Sequence, residues 1–199
     1  MSMKNMAYKD FSIIEKNYEL AKLEGTDIYQ HLPVLYSYAL QSKTIVEFGV
    51  RKIISTWAFL LGIPEKLICV DIKMPSYYLK DNEEKLHLVQ SLCQKLDIEF
   101  EFIKNSTLNI EQVNTDLLFI DTLHTYNQLF AELNLHGNGV KKWIICHDTE
   151  TFGGYITNSI GEKQGGLKYA IDDFLKINNQ WKIKKVYENN NGLTVLERK

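Results

Sequence analysis

Five short apolar runs predict the strands of a sheet. They are TIVEFG at 44–49, LICVD at 67–71, IEFEFI at 98–103, DLLFID at 116–121 and WIICHD at 143–148. Four of them are apolar along their length, as expected of strands covered on both faces, whereas IEFEFI alternates apolar and polar residues. The pattern therefore predicts a sheet with helices on both of its faces.

Helical periodicity separates these runs. It covers IISTWAFLLG at 53–62, residues 82–96, residues 125–136 and a segment that begins near Leu167. Alternating strands and helices are typical of the α/β class, and we predict a Rossmann-like, doubly wound, mainly parallel sheet. Near the C-terminus, the Asn-Gly pair of NNNG separates WKIKKVYE from LTVLER and predicts an antiparallel hairpin.

The length of 199 residues suits one compact domain. We divide it into N-terminal helices at 1–43 and a Rossmann-like core at 44–199. Within residues 7–41, apolar positions at mixed three- and four-residue spacing predict two short helices. A glycine-rich connection at 149–166 is long for a compact domain and predicts a lid.

Charge and cysteine content narrow the classes of function. Lys and Arg number 23 against 25 Asp and Glu, so a net charge of -2 disfavours nucleic acid as a partner. The three cysteines are odd in number and lack metal-knuckle spacing. The N-terminus has no secretory pattern and no apolar run reaches the roughly 18 residues of a membrane span. We expect a cytoplasmic protein that does not enter membranes.

Acidic residues end several of the apolar runs. Glu47 precedes Gly49 at the first, Asp71 ends the second, Asp121 ends the fourth and Asp148 ends the fifth. In a doubly wound sheet these strand ends surround the ligand site, and buried carboxylates without a partner are costly. Gly49 allows the backbone to approach a ligand, and an acidic residue about 20 residues later suits ribose hydroxyls. The sequence predicts a nucleoside pocket.

VEFGVRKIISTWAFL and LICVDI resemble the first two motifs of class I S-adenosylmethionine-dependent methyltransferases. The resemblance implies that Glu47 and Gly49 lie beside the methionine portion, that Asp71 holds the ribose and that Ser106 lies near the adenine. Arg51 stands where the motif usually has another glycine. The full set of implied cofactor contacts is Glu47, Phe48, Gly49, Arg51, Ser55, Asp71, Ile72, Ser106 and Asp121.

FIDTLHTYNQLFAEL and WIICHDTETFGG are similar to a narrower subgroup, which contains macrocin-type sugar O-methyltransferases and cephalosporin-hydroxylase-like proteins. This resemblance implies a Mg²⁺ site at Asp121, His147 and Asp148, with His124 and Asp148 as catalytic residues. The sugar enzymes end the fifth strand in paired acidic residues, whereas this chain has a histidine and an aspartate, and hard cations favour histidine less.

The implied reaction is methyl transfer to a hydroxyl of a small molecule or sugar. His124 would accept the hydroxyl proton, since an imidazole near its ordinary pKa can do so at neutral pH. The N-terminal helices could join two copies of the chain.

Other interpretations stay open. EFGVRKIIS lacks the GxGxxG spacing of a pyrophosphate cradle, which disfavours but leaves open a nicotinamide-dependent oxidoreductase. A nucleoside-binding protein without catalysis is the third class of function. Glu47 could instead cap the following helix or pair with Arg51, and His124 could cap the helix that starts at Thr125.

Overall fold

A computed structural model of the chain describes residues 3–157 and 163–199. Its first helix, α1, spans Met3–Leu23 and is 21 residues long, and α2 spans Leu32–Ala39. The prediction of two short helices was therefore wrong for the first. Ile14, Tyr18 and Ala21 recur at helical spacing and are buried, so this narrow apolar stripe fixes α1 on the rest of the molecule.

The remaining elements follow the predicted alternation. The strands of the main sheet are β1 (Thr44–Phe48), β2 (Lys66–Asp71), β3 (Glu99–Lys104), β4 (Thr115–Ile120), β5 (Val140–His147), β8 (Trp181–Tyr187) and β9 (Leu193–Arg198). The helices between them are α3 (Ser55–Leu61), α4 (Asp81–Lys95), α5 (Tyr126–His136) and α6 (Leu167–Ile177). A separate two-stranded arm consists of β6 (Tyr155–Thr157) and β7 (Lys163–Gly165).

The main sheet has the order β3-β2-β1-β4-β5-β9-β8. Pairs among the first five strands are parallel, whereas β9 pairs antiparallel with both β5 and β8. The winding reverses between β1 and β4, where Phe48 is in register with Ile120. The predicted doubly wound sheet with a C-terminal antiparallel hairpin is confirmed, and its switch point opens a crevice at the carboxyl ends of β1 and β4.

Two apolar layers cover the sheet. On one face, α1 to α4 pack over β1 and β4, and the rings of Phe59 and Phe119 lie 5.4 Å apart. On the other face, α5 and α6 bury Phe174 and Leu133 against Phe48. Within the described ranges, no helix combines the length and apolar character needed to cross a membrane. Helices thus cover both faces of the central strands, and polar side chains lie at the strand ends.

Candidate active site and cofactor crevice

Gly49 brings three strand ends together. Its backbone has a left-handed φ of +83°, and a Cβ at this position would lie 1.8 Å from the carbonyl oxygen of Asp121. The Gly49 N–H donates to Val70 O at 2.9 Å, and the Asp121 N–H donates to Phe48 O at 2.8 Å. Only glycine allows this approach, so the crevice at the switch point depends on it.

Asp71 holds the turn that follows β1. Its Oδ2 accepts hydrogen bonds from the backbone N–H groups of Val50 at 2.9 Å and Arg51 at 3.0 Å, and Oδ1 accepts from Lys73 N–H at 2.9 Å. Arg51 has a left-handed φ of 45°, which costs a non-glycine residue free energy. The carboxylate offsets that strain, and about one of its roughly four acceptor positions stays available to a ligand.

Two cavities adjoin this turn, and the larger of them has a volume of about 430 Å³. Its size is within the usual range of small-molecule sites. Five of the residues predicted to contact a cofactor line it together with Asp71: Gly49, Arg51, Ile72, Ser106 and Asp121. The structure thus brings most of the predicted set to one space.

A smaller cavity of about 190 Å³ shares Gly49, Arg51 and Asp121 with the larger one. Ser55 lines it, as does the segment that follows α1. The guanidinium of Arg51 pairs there with Asp27 at 3.0 Å. The two cavities therefore meet across the Gly49 turn, and Arg51 is at their junction.

Glu47 and Phe48 line neither of the two cavities. Glu47 is fully buried and accepts hydrogen bonds from the hydroxyl groups of Ser55 and Thr56 and from the Cys69 thiol. Burial raises the pKa of Glu47 to about 7, against the opposing effect of these donors. Its carboxyl group binds side-chain hydroxyls in the first turn of α3, whose N-terminus has no side-chain cap, so these contacts are neither a helix cap nor a pair with Arg51.

Phe48 points to the opposite face of the sheet. Successive residues of a strand alternate between faces, so the neighbour of Glu47 lies away from α3. The Phe48 ring meets that of His136 at 4.8 Å in an edge-to-face arrangement. It belongs to the apolar layer beneath α5 and α6.

Asp121, His124 and Asp148 form a cluster next to the shared wall of the cavities. One ligand atom from each lies within 4.8 Å of the others. His124 Nε2 lies 2.7 Å from Asp148 Oδ2 and 3.5 Å from Asp121 Oδ1. Asp148 has a left-handed φ of 60°, a conformation that aspartate tolerates better than most residues. The sequence had placed His124 as a base and outside the metal set, and the structure places its imidazole between both carboxylates.

His147 lies close to the same two carboxylates. Its Nδ1 is 3.4 Å from Asp121 Oδ1 and 3.5 Å from Asp148 Oδ2, and its Nε2 contacts Asn190 O at 3.3 Å. Both His147 Nδ1 and Asp148 Oδ1 are buried and lack a hydrogen-bond partner among the described residues. Unsatisfied buried polar atoms are costly, and Asp148 Oδ1 is an acceptor that a bound ligand would satisfy.

The charges of the cluster determine its protonation. Burial lowers the pKa of His124, but the hydrogen bonds that its imidazole donates to Asp121 and Asp148 outweigh this effect and raise that pKa to about 9. For His147, burial is likewise outweighed by the charge of Asp121, and the pKa rises to about 10. Burial would raise the pKa of Asp148, but the hydrogen bond from His124 and the nearby charges of both imidazoles hold it well below its usual range. In this arrangement the pKa of His124 lies above the ordinary value from which its role as a base was argued.

Thr125, and not His124, caps helix α5. The Thr125 hydroxyl accepts a hydrogen bond from Gln128 N–H at 3.3 Å. The His124 ring is thus free to face the carboxylates, and it stacks on Phe152 with 4.4 Å between ring centres.

The predicted lid contains the arm of β6 and β7, and residues 158–162 lie outside the described residues. Gly165 N–H donates to His124 O at 2.9 Å. The arm is thereby joined to the backbone of the cluster.

A polar group that the sequence interpretation missed also lines the larger cavity. It comprises Thr107, Thr122 and Gln128, which join the fully buried Glu132 behind them. Gln128 and Glu132 are four residues apart on α5, a spacing that places them on one helix face. This four-residue spacing was the signal in the sequence that could have revealed the polar group. It does not identify a site, because polar residues on exposed helix faces have the same spacing.

Comparisons with known proteins give structural relatives only. No family model matches the chain, and no curated protein sequence matches it at a significant level. A putative caffeoyl-CoA O-methyltransferase from Staphylococcus aureus has a TM-score of 0.63 at 14% identity, covering 94% of this chain and 92% of that chain. An O-methyltransferase from Bacillus cereus in complex with S-adenosylhomocysteine has a TM-score of 0.57 at 14% identity, covering 96% and 91%.

This chain has the Rossmann-like methyltransferase fold. A 1,6-didemethyltoxoflavin-N1-methyltransferase from Burkholderia thailandensis, with its substrate and S-adenosylhomocysteine bound, also matches, with a TM-score of 0.60 at 10% identity over 100% of this chain and 91% of that chain. Relatives that methylate oxygen and nitrogen thus share the methyltransferase fold with this chain. The fold alone leaves the acceptor atom open.

Proposed function

We propose that the chain is an S-adenosylmethionine-dependent methyltransferase that modifies a hydroxyl of a small molecule or sugar with the help of a divalent cation. One observation carries the proposal. The larger cavity extends from Asp71 and Ser106 to Asp121, so a nucleoside-sized space opens directly onto a carboxylate and imidazole cluster.

The cofactor would lie across the Gly49 turn. Asp71 has an acceptor position left for a ribose hydroxyl, and Ile72, 62% exposed, offers an apolar surface to a base. The smaller cavity presents the Arg51 guanidinium, whose charge suits a carboxylate. The methionine portion would therefore enter the smaller cavity.

The cluster residues fit a divalent cation. Asp121 and Asp148 supply anionic oxygens, His124 supplies an imidazole, and Asp148 Oδ1 is a buried acceptor without a partner among the described residues. His147 would supply a second imidazole ligand. Carboxylate ligands suit Mn²⁺ as well as Mg²⁺, whereas imidazole ligands suit transition metals such as Fe²⁺ and Zn²⁺ rather than Mg²⁺. We therefore propose a site that binds Mn²⁺ more tightly than the Mg²⁺ implied by the sequence.

When bound, the sulfonium would supply an electrophilic methyl carbon and the cation would lower the pKa of the acceptor hydroxyl. Asp121 and Asp148 would hold and orient the acceptor oxygen. His124 would act as a base only in its neutral form and only if Asp121, His147 and Asp148 hold the cation without it, because a lone pair bound to the cation cannot accept the hydroxyl proton. Phe152, stacked on His124, would keep water from the ring.

Calorimetry with S-adenosylhomocysteine, S-adenosylmethionine and NADH tests the cofactor. We expect micromolar or tighter binding of the first two and none of NADH. Binding of NADH alone would favour the oxidoreductase alternative and contradict the proposal.

Turnover separates an enzyme from a nucleoside-binding protein. Transfer of a tritiated methyl group to a panel of catechols, phenols and sugars should be measured with Mn²⁺, with Mg²⁺ and with a chelator. We expect a product whose formation the chelator abolishes. Product at an equal rate in chelator would remove the cation from the proposal. Cofactor binding with no product from any acceptor would support the non-catalytic alternative.

We further propose that two copies of the chain associate through α1. Sedimentation at several protein concentrations tests this. A monomer at all concentrations would contradict it.

A further inference from the structure

Four polar side chains form one hydrogen-bonded network at the wall of the larger cavity: Thr107, Thr122, Gln128 and Glu132. Glu132 is fully buried at its centre. Its Oε1 accepts from Thr107 Oγ1 at 2.6 Å and from Gln128 Nε2 at 2.8 Å, and the Thr122 hydroxyl donates to its Oε2 at 2.9 Å. A buried acidic group with this many donors is held in one orientation.

The network fixes which end of the Gln128 amide faces the cavity. Its Nε2 donates to Glu132 Oε1 and lies 3.1 Å from Thr107 Oγ1, whose own proton goes to Glu132. Both amide protons are thus used within the network. A flipped amide would set its oxygen against two oxygens, one of which only accepts. The Gln128 carbonyl oxygen is therefore the end of the amide that stays available to a ligand in the cavity that Gln128 lines, and it receives no hydrogen bond from the described residues.

Ser106 adds a donor to the same cavity. Its oxygen accepts from Leu108 N–H at 3.3 Å, so its hydroxyl proton is available to a ligand. A base in the cavity therefore meets a hydroxyl donor and an amide acceptor. Adenine offers an amino donor at position 6 beside a ring nitrogen acceptor, whereas 6-oxo purines offer an acceptor at position 6.

We propose that Gln128, oriented by Glu132, reads the 6-amino group of the cofactor's adenine and rejects 6-oxo purine analogues. This inference rests on the proposed function, since it concerns the base of the same cofactor. Gln128 is a specificity-determining contact and Glu132 a positioning residue behind it.

The test compares S-adenosylhomocysteine with S-inosylhomocysteine, which differs in the group at position 6. With the wild-type protein we expect calorimetry to show about tenfold or greater preference for the adenosyl compound, because the inosyl oxygen would face the amide oxygen. Equal affinity for the two compounds would overturn the inference and leave the proposed cofactor standing. Binding of neither compound would overturn the proposed function, and this inference with it.

The variant Glu132→Gln tests directly whether Glu132 orients the Gln128 amide. The amide that it introduces can donate to the Gln128 carbonyl, so Gln128 can turn its amino group to the cavity. We expect the preference for the adenosyl compound to fall at least about tenfold, with affinity for the inosyl compound rising. A purely structural role for Glu132 would weaken both compounds alike and overturn the inference.

Gln128→Met is the second variant, for use if the first does not fold. Methionine keeps the length of the side chain and lacks the carbonyl, so the preference should disappear. The thermal unfolding midpoint should fall by only a few degrees, because Glu132 loses one of its three donors. Gln112→Met is the matched control, because Gln112 is exposed and its amide binds Leu135 O away from the cavity. The control should keep the full preference. A preference unchanged in Gln128→Met would overturn the inference.

Discussion

His124 Nε2 lies 2.7 Å from Asp148 Oδ2, although the two residues follow different strands. The parallel arrangement of β4 and β5 brings their carboxyl ends to the same edge, and the left-handed backbone of Asp148 belongs to the same contact. The pair places a positive imidazole where a cation would lie. At the proposed site a proton on His124 and a bound cation would therefore compete for one position.

Asp148→Asn should weaken the binding of Mn²⁺ by tenfold or more, since even indirect partners of metal ligands are worth roughly 10–100-fold. Asparagine tolerates the left-handed conformation of this position, so the substitution changes charge and not backbone strain. Affinity for S-adenosylhomocysteine should remain within about threefold of the wild type. Calorimetry with the metal and with the nucleoside measures both quantities.

Asp172→Asn is the control for the loss of one negative charge. Asp172 is exposed on α6 and has no part in the cluster. It should bind Mn²⁺ as the wild type does. Equal Mn²⁺ affinity in Asp148→Asn and the wild type would remove Asp148 from the metal site.

The metal-free protein should lose stability as pH rises from about 6.5 to 9. The folded pKa of His124, about 9, exceeds the unfolded value of 6.5. Stability from this pair is therefore fully present below pH 6.5 and is lost as pH rises through 9. We expect Tm to fall by about 3 °C or more, since one pKa unit is about 1.4 kcal/mol and each kcal/mol shifts Tm by about 2–4 °C at this size.

His124→Gln should flatten that decline, because the variant has one fewer proton to lose. His147, with a folded pKa of about 10 against the same unfolded value of 6.5, would keep its own decline between pH 6.5 and 10. Thermal unfolding of the chelator-treated protein at several pH values measures the difference. Parallel curves for the variant and the wild type would contradict the assigned pairing.

The sheet was predictable because burial on both faces demands long apolar runs. Each of the five runs became a strand, and the Asn-Gly pair became the turn between β8 and β9. The length of α1 was not predictable from its pattern, since only a narrow stripe of its residues is buried. Its polar remainder gives no periodic signal.

The acidic residues of the site were partly predictable because they interrupt apolar runs. Asp71, Asp121 and Asp148 end apolar runs, where a carboxylate has few structural uses. Glu47 shares that position but turns beneath α3, and a strand sequence does not reveal which buried donors its carboxyl group meets. Gln128 and Glu132 come together with Thr107 only after α5 packs over the end of β3, a contact between distant parts of the chain.

Glu47→Gln should leave the affinity for S-adenosylhomocysteine within about threefold of the wild type, because Glu47 lies outside both cavities. It should change the pH dependence of stability. The folded pKa of about 7 is above the ordinary 4.5, so the carboxyl group makes the wild type less stable as pH rises from 4.5 through 7. The variant should gain about 1–3 kcal/mol relative to the wild type between pH 5 and pH 8.

Urea denaturation at the two pH values measures that change. Asp71→Asn is the contrasting variant, since Asp71 lines the larger cavity. It should weaken S-adenosylhomocysteine about tenfold. A similar loss in Glu47→Gln would restore the direct ligand contact that the resemblance implied.

Gly49→Ala should destabilise the fold by about 3 kcal/mol or more and abolish nucleoside binding. Two effects add at this position. A left-handed φ costs a residue with a Cβ roughly 1–2 kcal/mol, and the new carbon would lie 1.8 Å from the Asp121 carbonyl oxygen. The backbone must move, and the ends of β1 and β4 move apart with it. Urea denaturation and calorimetry measure both consequences.

Gly25→Ala separates the two effects. Gly25 has a similar left-handed φ of +61°, but a Cβ there would meet nothing within 4 Å. The free energy of unfolding of Gly25→Ala should fall only by the conformational part, about 1–2 kcal/mol, and its affinity for the nucleoside should be preserved. If Gly49→Ala cost no more than Gly25→Ala and still bound S-adenosylhomocysteine, the close contact between Gly49 and Asp121 would not be what forms the crevice.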